Sequence, residues 1–103
     1  MTSKTAPLAV LHNIKLQRFE VQMNGHLAFN SYTHEGDRVI FDHTYVPDAL
    51  RGRGVAATLV RAALDEARQR HWRIVPRCAY VAGFIERNPE FADLVDRQER
   101  AGV

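Results

Sequence analysis

Apolar and polar residues alternate through the first half of the chain, and the period changes near its middle. Arg18-Phe19-Glu20-Val21-Gln22-Met23 alternates strictly. Asn24-Gly25 follows, the dipeptide that best fits a two-residue hairpin because both turn positions need φ > 0. His26 to Thr33 returns as a second strand, Glu35-Gly36-Asp37 marks another turn, and Arg38 to Val46 reads as a third strand. Beyond it, Ala56, Leu59, Val60, Ala63, Leu64 and Ala67 follow the i, i+3, i+4, i+7 spacing of an amphipathic helix over roughly 55–71. Its polar side, with Arg61, Asp65, Glu66, Arg68 and Gln69, predicts a solvated face. Ile74-Val75-Pro76-Arg77-Cys78-Ala79-Tyr80 is short and β-rich, a fourth strand. Residues 81–88 read as a short helix stopped by Pro89, and Phe91, Leu94 and Val95 as one more apolar turn. Leu8 to Leu16 is apolar without a clean period.

These elements predict an α/β (α+β) fold with a mixed sheet, an antiparallel meander followed by a β-α-β unit. The meander needs a cover on one face, and the long helix supplies it. A strand–helix–strand unit closes right-handed with its strands parallel. Pro76 cannot donate to a ladder, so the fourth strand lies at an edge or splays from its neighbour. With 103 residues the chain has room for one modest core. The expected organisation is a flexible or partly ordered leader over 1–17, a single domain over 18–96 and a charged tail over 97–103. Trp72, Phe29, Phe41 and Phe84 are its aromatic core candidates.

Arg51-Gly52-Arg53-Gly54-Val55-Ala56 joins the third strand to the long helix. A glycine-punctuated turn opening onto a helix can offer unpaired backbone N–H groups to an anion at the positive end of the helix dipole. Bare glycine backbone approaches a diphosphate closely. The segment therefore reads as a pyrophosphate cradle, with Arg51 and Arg53 as charged donors or, more plainly, as surface charges. Between residues 51 and 77 seven arginines stand against two acids, enough to attract a phosphorylated cofactor from a distance. Nucleic acid would be attracted too. The scattered arginines and the lack of a basic, aromatic-interleaved platform argue against that partner.

The longest apolar run, Ala6 to Leu11, is too short to span a membrane and makes a poor signal peptide. The single cysteine, Cys78, excludes an internal disulfide and suits a reducing cytoplasm. His12, His26, His34 and His71 show no ligand spacing, so no metal is expected and solvent or turn roles are assigned to them.

Arg51, Gly54 and Ala56 occupy the defined positions of (Gln/Arg)-x-x-Gly-x-(Gly/Ala), and the segment resembles the acetyl-CoA pyrophosphate loop of the GNAT N-acetyltransferase superfamily. With His43-Thr44-Tyr45-Val46 before it and Pro76-Arg77-Cys78-Ala79-Tyr80 after it, the chain resembles the short, minimal GNAT-like family. The likeness covers about residues 18–95. It implies acetyl-CoA as co-substrate and transfer of its acetyl group to an unidentified amine or a protein or peptide end. It also implies a splayed pair of parallel strands that admits the thioester, with Val46 lending backbone to the pantetheine arm. Full-length GNAT domains carry helices between their first two strands, where this chain has only Asn24-Gly25, so their acceptor specificity does not transfer.

The chemistry centres on Cys78 and His43, expected on neighbouring strands with both side chains in the gap. A thiolate is a good acyl acceptor and an imidazole a good base near neutral pH. The resemblance assigns these two residues to catalysis. The plain alternatives are a buried structural thiol and an ordinary strand histidine. Gly52 and Val55 complete the loop; Arg87 and Asn88 are cofactor candidates near the second helix, or simply a helix end. Tyr80 is an acid for the leaving thiolate or a core aromatic. A CoA-binding or interaction module with little turnover is the alternative function.

Overall fold

The structure, a computed structural model, describes residues 8–97; residues 1–7 of the expected leader and 98–103 of the expected tail lie outside the described residues. Five strands, β1 (Leu11–Asn13), β2 (Arg18–Met23), β3 (His26–Glu35), β4 (Arg38–Tyr45) and β5 (Arg73–Pro76), form one sheet in sequence order. The first four pair antiparallel, and β5 runs parallel to β4 after a crossover through α1 (Val55–Arg70). A second helix, α2 (Ala79–Arg87), and a 3-10 segment, Pro89–Leu94, close the described chain.

The alternation places Phe19 and Val21 of β2, and Ala28 and Tyr32 of β3, on one buried face. Val55, Leu59, Val60, Ala63, Leu64 and Ala67 bury the apolar stripe of α1 in the same core. Fully buried side chains such as Leu59 and Leu64 each contribute about 1.5–3 kcal/mol. Val81, Phe84 and Ile85 of α2, with Phe91 and Leu94, join that cluster.

The polar side of α1 is solvated as its pattern predicts, with Arg61, Asp65, Arg68 and Gln69 exposed, and its arginines make contacts along the surface. Arg61 lies 5.4 Å from the centroids of both Phe84 and Phe91, and Arg68 forks onto Asp93 with two bonds of 2.9 Å. Glu66 is half-buried against His12 and Arg70.

The other face of the sheet carries Phe29, His43 and Tyr45; Phe29 is half-buried and lies outside the core cluster, unlike Phe41 and Phe84. Trp72 is half-buried at the core's margin.

Three features depart from the sequence reading. The aperiodic segment before Arg18 supplies β1, whose Leu11 pairs with Glu20, so the sheet begins inside the expected leader. His12, expected in solvent or a turn, stacks on Phe19 at 4.1 Å and bonds the Tyr32 hydroxyl at 2.6 Å. Burial holds its imidazole below the ordinary value, with Glu66 opposing that shift. Finally, the fourth predicted strand stops at Pro76: Arg77 N–H turns back to Val75 O, and Cys78 caps α2 instead of continuing the ladder.

Candidate active site

Between β4 and α1 the chain passes through a 3-10 turn, Asp48–Leu50, into the glycine-rich loop. Leu50 is fully buried and anchors the loop's base. Arg51 Nε donates to Val46 O at 3.2 Å, tying the loop to the end of β4. The ion pair of Arg51 with Asp48 is too exposed to add much.

Gly52 and Gly54 have φ of 81° and 73°, in the left-handed region that favours glycine. A Cβ at either position would meet nothing within 4 Å, so conformation, not crowding, selects glycine here. Gly54 is also the N-cap of α1 and supplies no capping side chain. Among the described residues, the amides of 52–57 therefore donate to no protein acceptor; the first bond of the helix runs from Thr58 N–H to Gly54 O at 3.0 Å. A serine or aspartate cap would have filled one of those donors. What remains is a set of open N–H groups at the positive end of a sixteen-residue helix.

The loop lines a cleft of ≈ 320 Å³ together with Val46, Leu50, Ala57 and Tyr80. Arg51, Gly52, Gly54, Val55, Ala56 and Val46 of the sequence-predicted set thus converge on one depression. Tyr80 reaches it from α2, not from a strand.

Beside the cleft, β4 and β5 part company. Their parallel register ends at Phe41↔Pro76, and Cys78 N–H then bonds Phe41 O at 2.9 Å. Beyond that point β4 runs on through Tyr45 without β5 alongside, which is the expected splay. The side chains at this corner differ from expectation. In β3–β4 pairing Tyr32 faces Phe41 but Ser31 faces His43, so Asp42 is an extra, bulged residue. Without the bulge, Val39, Phe41 and His43 would share the core face. With it, Thr44 takes the inward place opposite Asn30, and His43 turns to the open face, its ring 6.1 Å from that of Phe29. Thr44 Oγ1 lies 3.4 Å from Cys78 Sγ and accepts from Asn30 Nδ2 at 2.9 Å. The structure thus does not bring the thiol and imidazole together; a hydroxyl stands where the imidazole was expected.

A family model described as GCN5-related N-acetyl-transferase matches residues 18–94, spanning the meander, the loop, the helix and the Cys78 corner. The chain belongs to the GCN5-related N-acetyltransferase family. It is similar to Protein NATD1 of Bos taurus, 38% identical over 86 residues covering 81% of this chain and 76% of that one. Protein NATD1 of Homo sapiens is 36% identical over 86 residues, with 81% and 76% covered. A GCN5-like chain from Staphylococcus aureus, solved in solution by NMR, superposes with a TM-score of 0.67 at 25% identity, over 85% of this chain and 87% of that one. The mixed sheet with its splayed parallel pair is therefore the GNAT-like fold that the sequence predicts.

The remaining candidates of this family member lie around the cleft without lining it. The Arg53 side chain leans toward the β2–β3 hairpin, its Nη1 3.9 Å from Met23 Sδ, so its share in the loop is backbone. Arg87 lies over the Tyr80 ring at 6.0 Å. Asn88 closes α2, donating to Phe84 O at 2.9 Å and accepting from Arg61 at 3.2 Å, as a helix end does. Among the described residues no group of three or more metal-ligating side chains gathers. Thr44 and Asn30, which pattern reading did not single out, are the side chains found at the Cys78 corner. The sole signal for Asn30 was an amide at a core position of an alternating strand.

Proposed function

We propose that this family member uses acetyl-CoA as acyl donor and transfers the acetyl group to an amine through Cys78. The open amides of residues 52–57 receive the pyrophosphate, Arg51 adds positive charge at the rim, and the cleft below takes the start of the pantetheine arm. The Val46 carbonyl already accepts from Arg51, so its second lone pair serves the ligand. In the first half-reaction the Cys78 sulfur attacks the thioester carbonyl, the bond from carbonyl carbon to CoA sulfur breaks, and the proton of the Cys78 thiol ends on CoA. In the second, the amine nitrogen attacks acetyl-Cys78, the new C–S bond breaks, and a proton of the amine returns to sulfur or solvent. His43, on the open face, serves that second step through one bridging water that carries a proton away from the incoming amine. Neither step needs the imidazole to touch the thiol. A free, reactive thiol suits the reducing cytoplasm.

The observation that carries this reading is the uncapped N-terminus of α1 with its unspent amides above the cleft. CoA should raise the melting temperature, because a ligand of the native state alone stabilises it by mass action. Incubation with acetyl-CoA should leave an acetyl adduct on Cys78, and adding an acceptor amine should discharge it. A protein that neither binds CoA nor takes an acetyl group would refute the assignment.

The separation of His43 from Cys78 favours one second reading, a CoA-binding module with little turnover. It predicts the same thermal shift and the same loop dependence, but no consumption of acetyl-CoA across a panel of amines. A nucleic-acid role is disfavoured further, since Arg61, Arg68, Arg70 and Arg73 have acidic partners in Glu90, Asp93, Glu66 and Asp96.

A further inference from the structure

Among the described residues, Asn30 and Asp96 are the polar side chains buried in the fold. Asp96 is met by Arg38 and Arg73. Asn30 has no such structural reason. It stands between Ala28 and Tyr32 on the core face of β3, fully buried, where an apolar side chain would pack at least as well. Its Nδ2 donates to Thr44 Oγ1 at 2.9 Å, while its Oδ1 meets no donor among the described residues. A buried amide with an unmet acceptor costs stability, so the one bond it does make, to Thr44, asks for a reason.

The direction of the contacts matters. Asn30 Nδ2–H occupies a lone pair of the Thr44 hydroxyl, which leaves the hydroxyl's single proton free to point onward. The next polar atom, at 3.4 Å, is Cys78 Sγ. The backbone fixes both ends: the bulge at Asp42 turns Thr44 inward, and Cys78 N–H is pinned to Phe41 O on the same strand.

We propose that Asn30 and Thr44 form a positioning pair for the Cys78 sulfur, with Asn30 orienting the Thr44 hydroxyl so that it donates to the thiolate. This rests on the reading of Cys78 as acyl acceptor. Within that cycle the pair exchanges no electrons. The thiolate attacks the acetyl carbon, CoA leaves as a thiolate and takes the proton that Cys78 gave up, and the hydrogen bond from Thr44 slackens because a thioester sulfur accepts weakly. It re-forms when the amine removes the acetyl group and the sulfur regains its charge.

The test is the rate at which iodoacetamide alkylates Cys78 at neutral pH, followed by mass spectrometry without any acetyl-CoA present. Thr44→Val keeps the shape and suits a strand, but removes the hydroxyl. Its alkylation should be about tenfold slower, the size of one hydrogen bond to a charged atom. Thr44→Ser should restore the rate, and Asn30→Ala, confirmed as folded by circular dichroism, should slow it by about threefold as a neutral bond is lost. A Thr44→Val rate equal to that of the parent overturns the pair. So does a slow rate that Thr44→Ser leaves unrepaired, or a parent thiol that iodoacetamide does not reach. Because no acyl donor is used, the expected pattern in a protein that takes no acetyl group would sustain the pair while refuting the proposed function.

Discussion

The phosphate loop and the Cys78 corner are built in opposite ways. In the loop the functional groups are backbone amides, left open by glycine conformations and by a missing cap. At the corner they are side chains, brought together by a strand bulge, a strand end and a helix start. The first arrangement is local and survives most changes elsewhere in the chain. The second depends on register across three elements, so a one-residue change in β4 exchanges which side chain meets the thiol. Binding and chemistry should therefore be separable by mutation.

The largest effect separates them from the chemical side. Cys78→Ala should abolish the acetyl adduct and slow amine transfer by roughly a thousandfold, with CoA affinity unchanged by calorimetry. Undiminished transfer would mean direct attack by the amine. Next in size is Gly54→Glu, which places a carboxylate among the donors and strains a left-handed backbone. CoA affinity should fall by about a hundredfold, while Cys78 alkylation stays at the parental rate. Gly54→Ala distinguishes the two causes. It adds no charge and no clash, so it should cost about 1–2 kcal/mol of folding stability in a denaturant titration, with CoA affinity reduced far less than in the glutamate variant.

His43→Ala sharpens the comparison within the corner. Discharge of acetyl-Cys78 to an amine should slow by about a hundredfold, whereas loading from acetyl-CoA should not change. Equal slowing of both steps would return the imidazole to the thiol's side.

A smaller effect lies away from both regions. His12 has an imidazole held below its ordinary value of 6.5 by burial, so the unfolded chain binds more protons than the native one just below that pH. Stability should be fully present above pH 6.5 and decline as the pH falls below it. Thermal melts of the parent across that range, against a flatter profile for His12→Gln, would check the sign.

These contrasts also explain what could be read in advance. The meander, the long helix and the loop are encoded by short-range periodicity, glycine placement and the Asn24-Gly25 turn, and they appear within a residue or two of their expected positions. Pro76 marked the edge and the splay because a missing N–H is a property of the residue itself. His43 was assigned to the gap by the family resemblance and its place on the strand beside Cys78, and simple alternation from Val39 and Phe41 would have put it there too. A bulge overrides alternation, and nothing local in Phe41-Asp42-His43-Thr44 announces one. Cys78 was placed on a strand because the whole segment from Ile74 to Tyr80 is short and β-rich, but the turn after Pro76 and the packing of Val81, Phe84 and Ile85 drew its second half into a helix. Strand β1 escaped notice because it is only three residues long, and because Leu11, like Ile14 and Leu16 in the turn after it, is apolar yet exposed, which erases the alternation.

The central claim is that the amides of residues 52–57 grip the diphosphate of CoA. Titrating CoA into nitrogen-15-labelled protein and following each backbone amide by NMR addresses it most directly. If the claim holds, the largest and mutually saturating shifts fall on Gly52 through Ala57, with smaller ones near Val46 and Tyr80. It is contradicted if CoA binds while those six amides stay where they were.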